Sequence, residues 1–184
     1  MKTILSLCDL TGDWPRPYAE DGYNVISLDT QRGPEEDVRL LRVEDLPEIH
    51  GVLAAPPCTH LAGSGARWWK SKGEEALLEG LAIVDACLRI VAAVRPVWWC
   101  LENPVGRLRH YLGAPAMMFQ PCDYGDSYTK KTLLWGDFNT DLPRTPVLAT
   151  EGSKIHLVPP GPNRANIRSA TPKGFASAFF EVNR

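Results

Sequence analysis

Two short stretches carry residues able to do covalent chemistry. In Pro56-Pro57-Cys58 a thiol follows two prolines. Paired prolines stop a strand and make a rigid turn, so the sulfur is held out of the core in a set direction. Cysteine in such a place suits nucleophilic attack, since its thiolate is strongly nucleophilic and accessible. The alternative is an incidental thiol in a loop. In Glu102-Asn103-Pro104 a carboxyl follows Val97-Trp98-Trp99-Cys100-Leu101. A carboxyl beside two tryptophans lies near low-dielectric surroundings, which raise its pKa and leave it able to donate a proton. The alternative is a polar residue capping a turn.

A third stretch has the layout of a nucleotide-type cofactor site. Ile4-Leu5-Ser6-Leu7 is an apolar run, and Asp9 to Trp14 is a polar turn containing Gly12. A short helix is predicted from Pro15 to Asp21, closed by Gly22. Asn24-Val25-Ile26-Ser27-Leu28 then leads to Asp29, an acid placed to accept hydrogen bonds from ribose hydroxyls. The turn has a single glycine and is not a full dinucleotide fingerprint.

These residues need elements to position them. Gly51-Val52-Leu53-Ala54-Ala55 reads as another buried strand. Leu77, Leu78, Leu81, Val84, Leu88 and Val91 recur at helical spacing, predicting a helix from Glu74 to Val94, ended by Arg95-Pro96. Unbroken apolar strands alternating with helices predict an α/β fold: a mostly parallel sheet with helices on both faces. Ligands of such sheets sit at the carboxyl ends of strands. Asp9, Asp29, Cys58 and Glu102 all follow such ends, so they are expected to meet in one cleft. The stretch from Leu142 to Arg168, rich in Pro, Gly and Asn, reads as a long loop.

With 184 residues the chain fits one domain over residues 1–184. Its composition is that of a soluble globular protein, no stretch has the apolar length of a membrane span, and its start does not read as a signal peptide. The predicted location is the cytoplasm. Cys8, Cys58, Cys87, Cys100 and Cys122 are widely spaced and odd in number, which argues for free thiols and against a zinc site. Cys87 and Cys100 fall in elements predicted to be buried. Net charge is −2, but it is uneven: net −6 over residues 1–50 and net +3 over residues 125–184. That bias is either ordinary surface variation or a place for an anionic partner.

Taken in order, these parts resemble the cytosine carbon-5 DNA methyltransferase family. The resemblance runs through Leu5-Ser6-Leu7-Cys8-Asp9-Leu10-Thr11-Gly12, Gly22-Tyr23-Asn24-Val25-Ile26-Ser27-Leu28-Asp29, Asp37-Val38-Arg39, Ala55-Pro56-Pro57-Cys58 and Leu101-Glu102-Asn103-Pro104-Val105-Gly106. Tyr124-Gly125 with Lys130 and Thr132 falls where the family has Tyr-Gly followed by Gln-x-Arg-x-Arg. Gly65-Ala66-Arg67-Trp68-Trp69 is similar to the short phage-type branch. The resemblance covers about residues 4–138, with a weaker echo at Ser169 to Asn183.

What the resemblance implies is a Rossmann-like methyltransferase sheet that uses S-adenosyl-L-methionine to methylate cytosine in DNA, in a bacterium or a phage-infected host. Cys58 would add to carbon-6 of a cytosine flipped out of the stack. Glu102 would act at ring N3, and Lys130 would orient the base or a phosphate. The cofactor would lie against Cys8, Asp9, Thr11, Gly12 and Pro57, with Asp29 on the ribose and Asp37 on the adenine. Arg67, Lys130, Lys131, Arg164 and Arg168 are the candidate DNA contacts. No metal and no membrane are implied; a protein partner is left open. Leu10 and Asp13 stand where the family has glycines, and Tyr128 and Thr132 replace its glutamine and second arginine. The interval from Asn139 to Arg168 is a loop-rich insert where the family has a target-recognition domain, so the implied target is short or relaxed. Two other readings stay open. In one, the same fold acts on cytosine in RNA, on a free nucleotide or with another one-carbon donor. In the other, the chain is a non-catalytic nucleic-acid-binding or regulatory module.

Overall fold

A computed structural model of the protein describes all 184 residues. Six strands form one sheet: β1 (Thr3–Leu7), β2 (Asn24–Leu28), β3 (Gly51–Ala54), β4 (Trp98–Pro104), β5 (Met117–Phe119) and β6 (Thr132–Asp137). Their order across the sheet is β2-β1-β3-β4-β6-β5. The first four run parallel, and β6 pairs antiparallel with both β4 and β5. The expected α/β class, mostly parallel, is therefore what the chain adopts. The antiparallel edge leaves little trace in the sequence, because β5 is only three residues long and shows no periodicity of its own.

The helices are α1 (Arg16–Glu20), α2 (Trp69–Val94), α3 (Arg109–Leu112), α4 (Arg164–Ser169) and α5 (Lys173–Val182). They cover both faces. On one face Leu5, Leu7, Val52, Ala54 and Leu101 of the sheet pack against Val84, Ala86, Cys87 and Ile90 of α2. On the other, Ile4, Leu53, Trp98, Cys100 and Leu134 pack against Tyr18 of α1 and Phe175, Ala176 and Phe179 of α5. Side chains alternate between faces along each strand, so every parallel strand is apolar on both sides. That is why these strands read as unbroken apolar runs.

Three boundaries differ from the sequence reading for physical reasons. The strand expected over residues 97–101 runs from Trp98 to Pro104, because β6 pairs with it antiparallel and extends the ladder, so Glu102, Asn103 and Pro104 lie within β4 and not beyond its end. The helical ladder of α2 begins at Trp69, but Gly73 breaks it with φ 76° and ψ −173°. That conformation is open to glycine, so the regular helix resumes at Glu74, where the apolar periodicity starts. At the other end Arg95 takes a left-handed conformation and its N–H caps the helix on Val91 O. The expected loop from Leu142 to Arg168 is interrupted by a 3-10 turn at Lys154–His156 and by most of α4. Six residues are too few for helical spacing to emerge from a Pro/Gly/Asn-rich context. No helix is long and apolar enough to cross a membrane.

Candidate active site

Register decides which residues meet. Leu7 pairs with Leu28 and Ala54, and Ala54 pairs with Leu101. The residues just beyond these pairs, Asp9, Asp29, Cys58 and Glu102, therefore share one rim of the sheet. Thr132 of β6 pairs with Pro104 of β4. Because β6 runs antiparallel, its beginning faces the end of β4, and Lys130 is delivered to that same rim.

Several contacts bind the two reactive loops together. The buried Asn103 Nδ2 donates to Pro56 O at 2.9 Å. Ala62 and Gly106 form an antiparallel bridge, with Gly63 N–H donating to Val105 O at 2.8 Å and Arg107 N–H to Leu61 O at 2.9 Å. A Cβ on Gly106 would overlap the backbone oxygen of Leu61, so the approach requires glycine. The turn after Cys58 closes on itself, since its carbonyl accepts from the N–H groups of Leu61 and Ala62.

Glu102 is half-buried as a residue, but its Oε2 is shut off from solvent with no hydrogen-bond partner. Burial pushes its carboxyl pKa up, and the charge of Asp9 adds to this, while Lys130 opposes it. It lines a narrow cleft of about 10 Å³ with Lys130, Trp14, Phe119, Thr132, Thr171, Pro172 and Phe175. That volume is on the order of one water molecule. Lys130 is 8% exposed, and its Nζ donates to the carbonyls of Ser169 at 3.3 Å and Ala170 at 3.5 Å. Cys58 is half-buried. Burial raises its thiol pKa, Glu102 raises it further, and Lys130 and Arg168 pull the other way. The Nε of Arg168 is buried without a partner. The chain thus gathers a thiol, an unpaired carboxyl and two cations at one place.

The first turn is built around Asp9, 7% exposed. Its Oδ1 accepts from the N–H groups of Thr11 and Gly12, both at 3.1 Å, and from Thr11 Oγ1 at 2.7 Å; Oδ2 accepts from Trp14 N–H. Asp9 therefore shapes the turn from within. Gly12 has φ 65°, and the direction a Cβ would take from it is clear for 4 Å, so open space lies over it. Trp14 anchors the turn in the core, edge-on to Phe179 at 5.6 Å. Cys8, also left-handed at φ 61°, has its thiol pKa raised, first through the Cys87 thiol and then through burial. Asp29 Oδ1 accepts from Gln31 N–H at 2.9 Å, and Asp29 N–H donates to Glu36 Oε2 at 2.9 Å. Asp37 is held by the Arg39 guanidinium, which keeps its carboxyl below the usual range.

The other expected contacts lie further out. Arg67 is exposed, with its guanidinium 5.1 Å from the centre of the Trp68 ring. Lys131 is exposed, and Arg164 Nε donates to Val158 O at 2.8 Å. The aromatic residues expected in the core divide: Trp135, Phe175 and Phe179 are buried, while Phe138 and Phe180 are partly so. Cys87 and Cys100 are buried. Asn103, Gly106 and Glu36 hold the site together in ways the sequence reading does not assign. Of these, Asn103 and Gly106 stand in the segment that carries Glu102, which is the one signal that could have pointed to them.

No protein-family profile matches the chain. It is similar to the probable DNA (cytosine-5)-methyltransferase of Frog virus 3 (isolate Goorha), with 29% identity over 158 residues, covering 77% of this chain and 73% of that protein. A crystal structure described as a candidate DNA modification methyltransferase encoded within a prophage of E. coli matches with a TM-score of 0.52 and 16% identity. The match covers 80% of this chain and 53% of that one, so the chain spans about half the length of its structural relative. The sheet described above is a methyltransferase-type fold.

Proposed function

We propose that the protein is an S-adenosylmethionine-dependent methyltransferase that modifies carbon-5 of cytosine in DNA. The observation that carries this reading is the joining of Pro56-Pro57-Cys58 to Glu102-Asn103-Pro104 by the buried Asn103–Pro56 hydrogen bond. It ties the loop that carries the thiol to the strand end that carries a buried, unpaired carboxyl. The likeness to a viral protein named for this activity supports it.

Cytosine carbon-5 is too weak a nucleophile to take a methyl group unaided. In the proposed reaction the Cys58 proton passes to Glu102, and the thiolate forms a bond to carbon-6. Glu102 gives its proton to ring N3, so charge does not build up on the ring. Lys130 and Arg168 favour the thiolate during this step, as their effect on Cys58 indicates. Carbon-5, now enamine-like, is the atom that accepts the methyl group. The carbon-5 proton is then lost to water and the N3 proton returns to Glu102, so the carbon-5–carbon-6 double bond re-forms as the sulfur–carbon-6 bond breaks and Cys58 leaves as the thiolate.

S-adenosylmethionine supplies the electrophilic methyl group when bound. The residues are compatible with it: space is open over Gly12, where the methionine portion would lie, and the Asp29 carboxylate at the second strand end would accept from ribose hydroxyls. Asp37 would face the adenine amino group, and Cys8, Thr11 and Pro57 would line the pocket between them.

The test is direct. Purified protein is incubated with labelled S-adenosylmethionine and cytosine-containing duplex DNA, single-stranded DNA, RNA or free deoxycytidine monophosphate, and nucleosides are read by mass spectrometry. 5-Methyldeoxycytidine in DNA is the expected product. Product only in RNA or free nucleotide moves the substrate, and no product with any of them overturns the reading. The target is expected to be short, one or two neighbouring bases, because residues 139–168 hold only a 3-10 turn and most of the six-residue α4. Bisulfite sequencing of the methylated DNA checks this, and a strict site of four or more bases contradicts it.

A further inference from the structure

The segment between the two reactive loops displays a tryptophan to solvent. Trp68 is 53% exposed, and it is the only one of six tryptophans that is exposed. Its neighbour explains the orientation. Trp69 is drawn inward beneath the Arg107 guanidinium, 4.5 Å from the ring centre, and Arg107 Nε is fixed on His60 O at 2.8 Å. Successive side chains on a helical turn point roughly 100–120° apart, so anchoring Trp69 turns Trp68 outward. The segment starts at Gly63, whose N–H is bonded to Val105 O, and returns at Lys72, whose Nζ donates to Thr59 O at 3.2 Å. Thr59 follows the nucleophile. Trp68 therefore stands on the rim of the Cys58 loop, with exposed Arg67 and Lys70 beside it.

An exposed indole among cations, in a chain of net charge −2, fits a ligand that is both flat and anionic. We propose that Trp68 is a base-stacking contact for a DNA strand: its ring stacks on a base next to the target cytosine, while Arg67 and Lys70 face the phosphates. Nucleic-acid channels use this pairing of aromatic platform and cation, because every base has a π-face. A free nucleotide has no neighbouring base and would not use it. The inference rests on the DNA reading above.

Binding of a cytosine-containing single-stranded deoxyoligonucleotide is measured by titration without methyl donor, at fixed low salt. Wild type should show quenching of indole emission, and Trp68→Phe should lose that quenching while keeping most of the affinity. Trp68→Ala should bind roughly fivefold to 150-fold more weakly, the ~1–3 kcal/mol of one base–aromatic stack. Both variants should melt with wild type, since the ring is exposed. Trp68→Ala affinity within twofold of wild type, or quenching that persists in Trp68→Phe, overturns the proposal. Wild-type methylation is scored separately: if DNA is methylated and Trp68→Ala binds normally, only the stacking contact fails. If wild type turns over free nucleotide and not DNA, the DNA reading fails and the stacking contact with it.

Discussion

Asn103 on β4 reaches across to the carbonyl of Pro56, at the end of β3, through a buried 2.9 Å hydrogen bond. A proline-bounded turn cannot be held by a ladder of its own, and this amide takes the ladder's place. It ties the loop that carries Cys58 to the strand that carries Glu102. Asn103→Ala leaves Pro56 O buried and unsatisfied, a loss of about 1–3 kcal/mol. Asn103→Ala should lower the melting temperature and cut kcat more than the affinity for DNA. Unchanged kcat in a folded variant would show that the tie is dispensable.

Gly106 makes the same point by steric means. Gly106→Ala drives a methyl into Leu61 O, and backbone must shift on one side. Denaturant unfolding should show a destabilisation, and turnover should fall with it. A stable and fully active Gly106→Ala protein would mean that the loops need not approach as they do.

Cys58→Ala should abolish methylation while leaving the fold intact, since the thiol is half-buried at a turn and not part of either core cluster. DNA carrying 5-fluorocytosine should trap wild type as a covalent adduct, visible as a slow band on a denaturing gel, because fluorine cannot leave as a proton does. Ordinary turnover by Cys58→Ala contradicts the assignment.

The pH dependence follows from two raised groups. Burial lifts Glu102 above its ordinary 4.5, and burial with Glu102 lifts Cys58 above its ordinary 9.0. In the proposed reaction the reactive form holds one proton between the two groups. kcat/KM should therefore rise with pH through the Glu102 pKa and fall again through that of Cys58. In Glu102→Gln the shared proton is gone, so the rate, though lower, should rise once through the thiol pKa and then level. Removing the carboxylate charge also lowers that thiol pKa. A Glu102→Gln profile that stays bell-shaped would assign both limbs to other groups.

Asp29→Ala removes a carboxylate at the second strand end. A hydrogen bond to a charged group is worth about 1.5–3 kcal/mol, so S-adenosylmethionine should bind roughly 10-fold to 150-fold more weakly by calorimetry. Equal affinity would place the ribose elsewhere.

Much of this is legible in the chain order alone. Strands that are apolar on both sides announce a sheet covered on both faces, and the polar residues just after Leu7, Leu28, Ala54 and Leu101 announce where its working edge lies. Local sequence holds that information because it depends on periodicity and on prolines and glycines that break it. Partners distant in sequence are not legible. Nothing local to Lys130 says that β6 runs antiparallel to β4, yet that direction alone sets Lys130 beside Glu102. Nothing in Gly106 foretells Leu61 O, and nothing in Arg168 foretells Cys58. Asp9 carries the appearance of a ligand contact, whereas its oxygens go to Thr11, Gly12 and Trp14. The sequence determined which chemistry was available and at which strand ends it stood. Tertiary structure decided which groups face one another, because strand register and direction are set by packing across the whole sheet and not by any one segment.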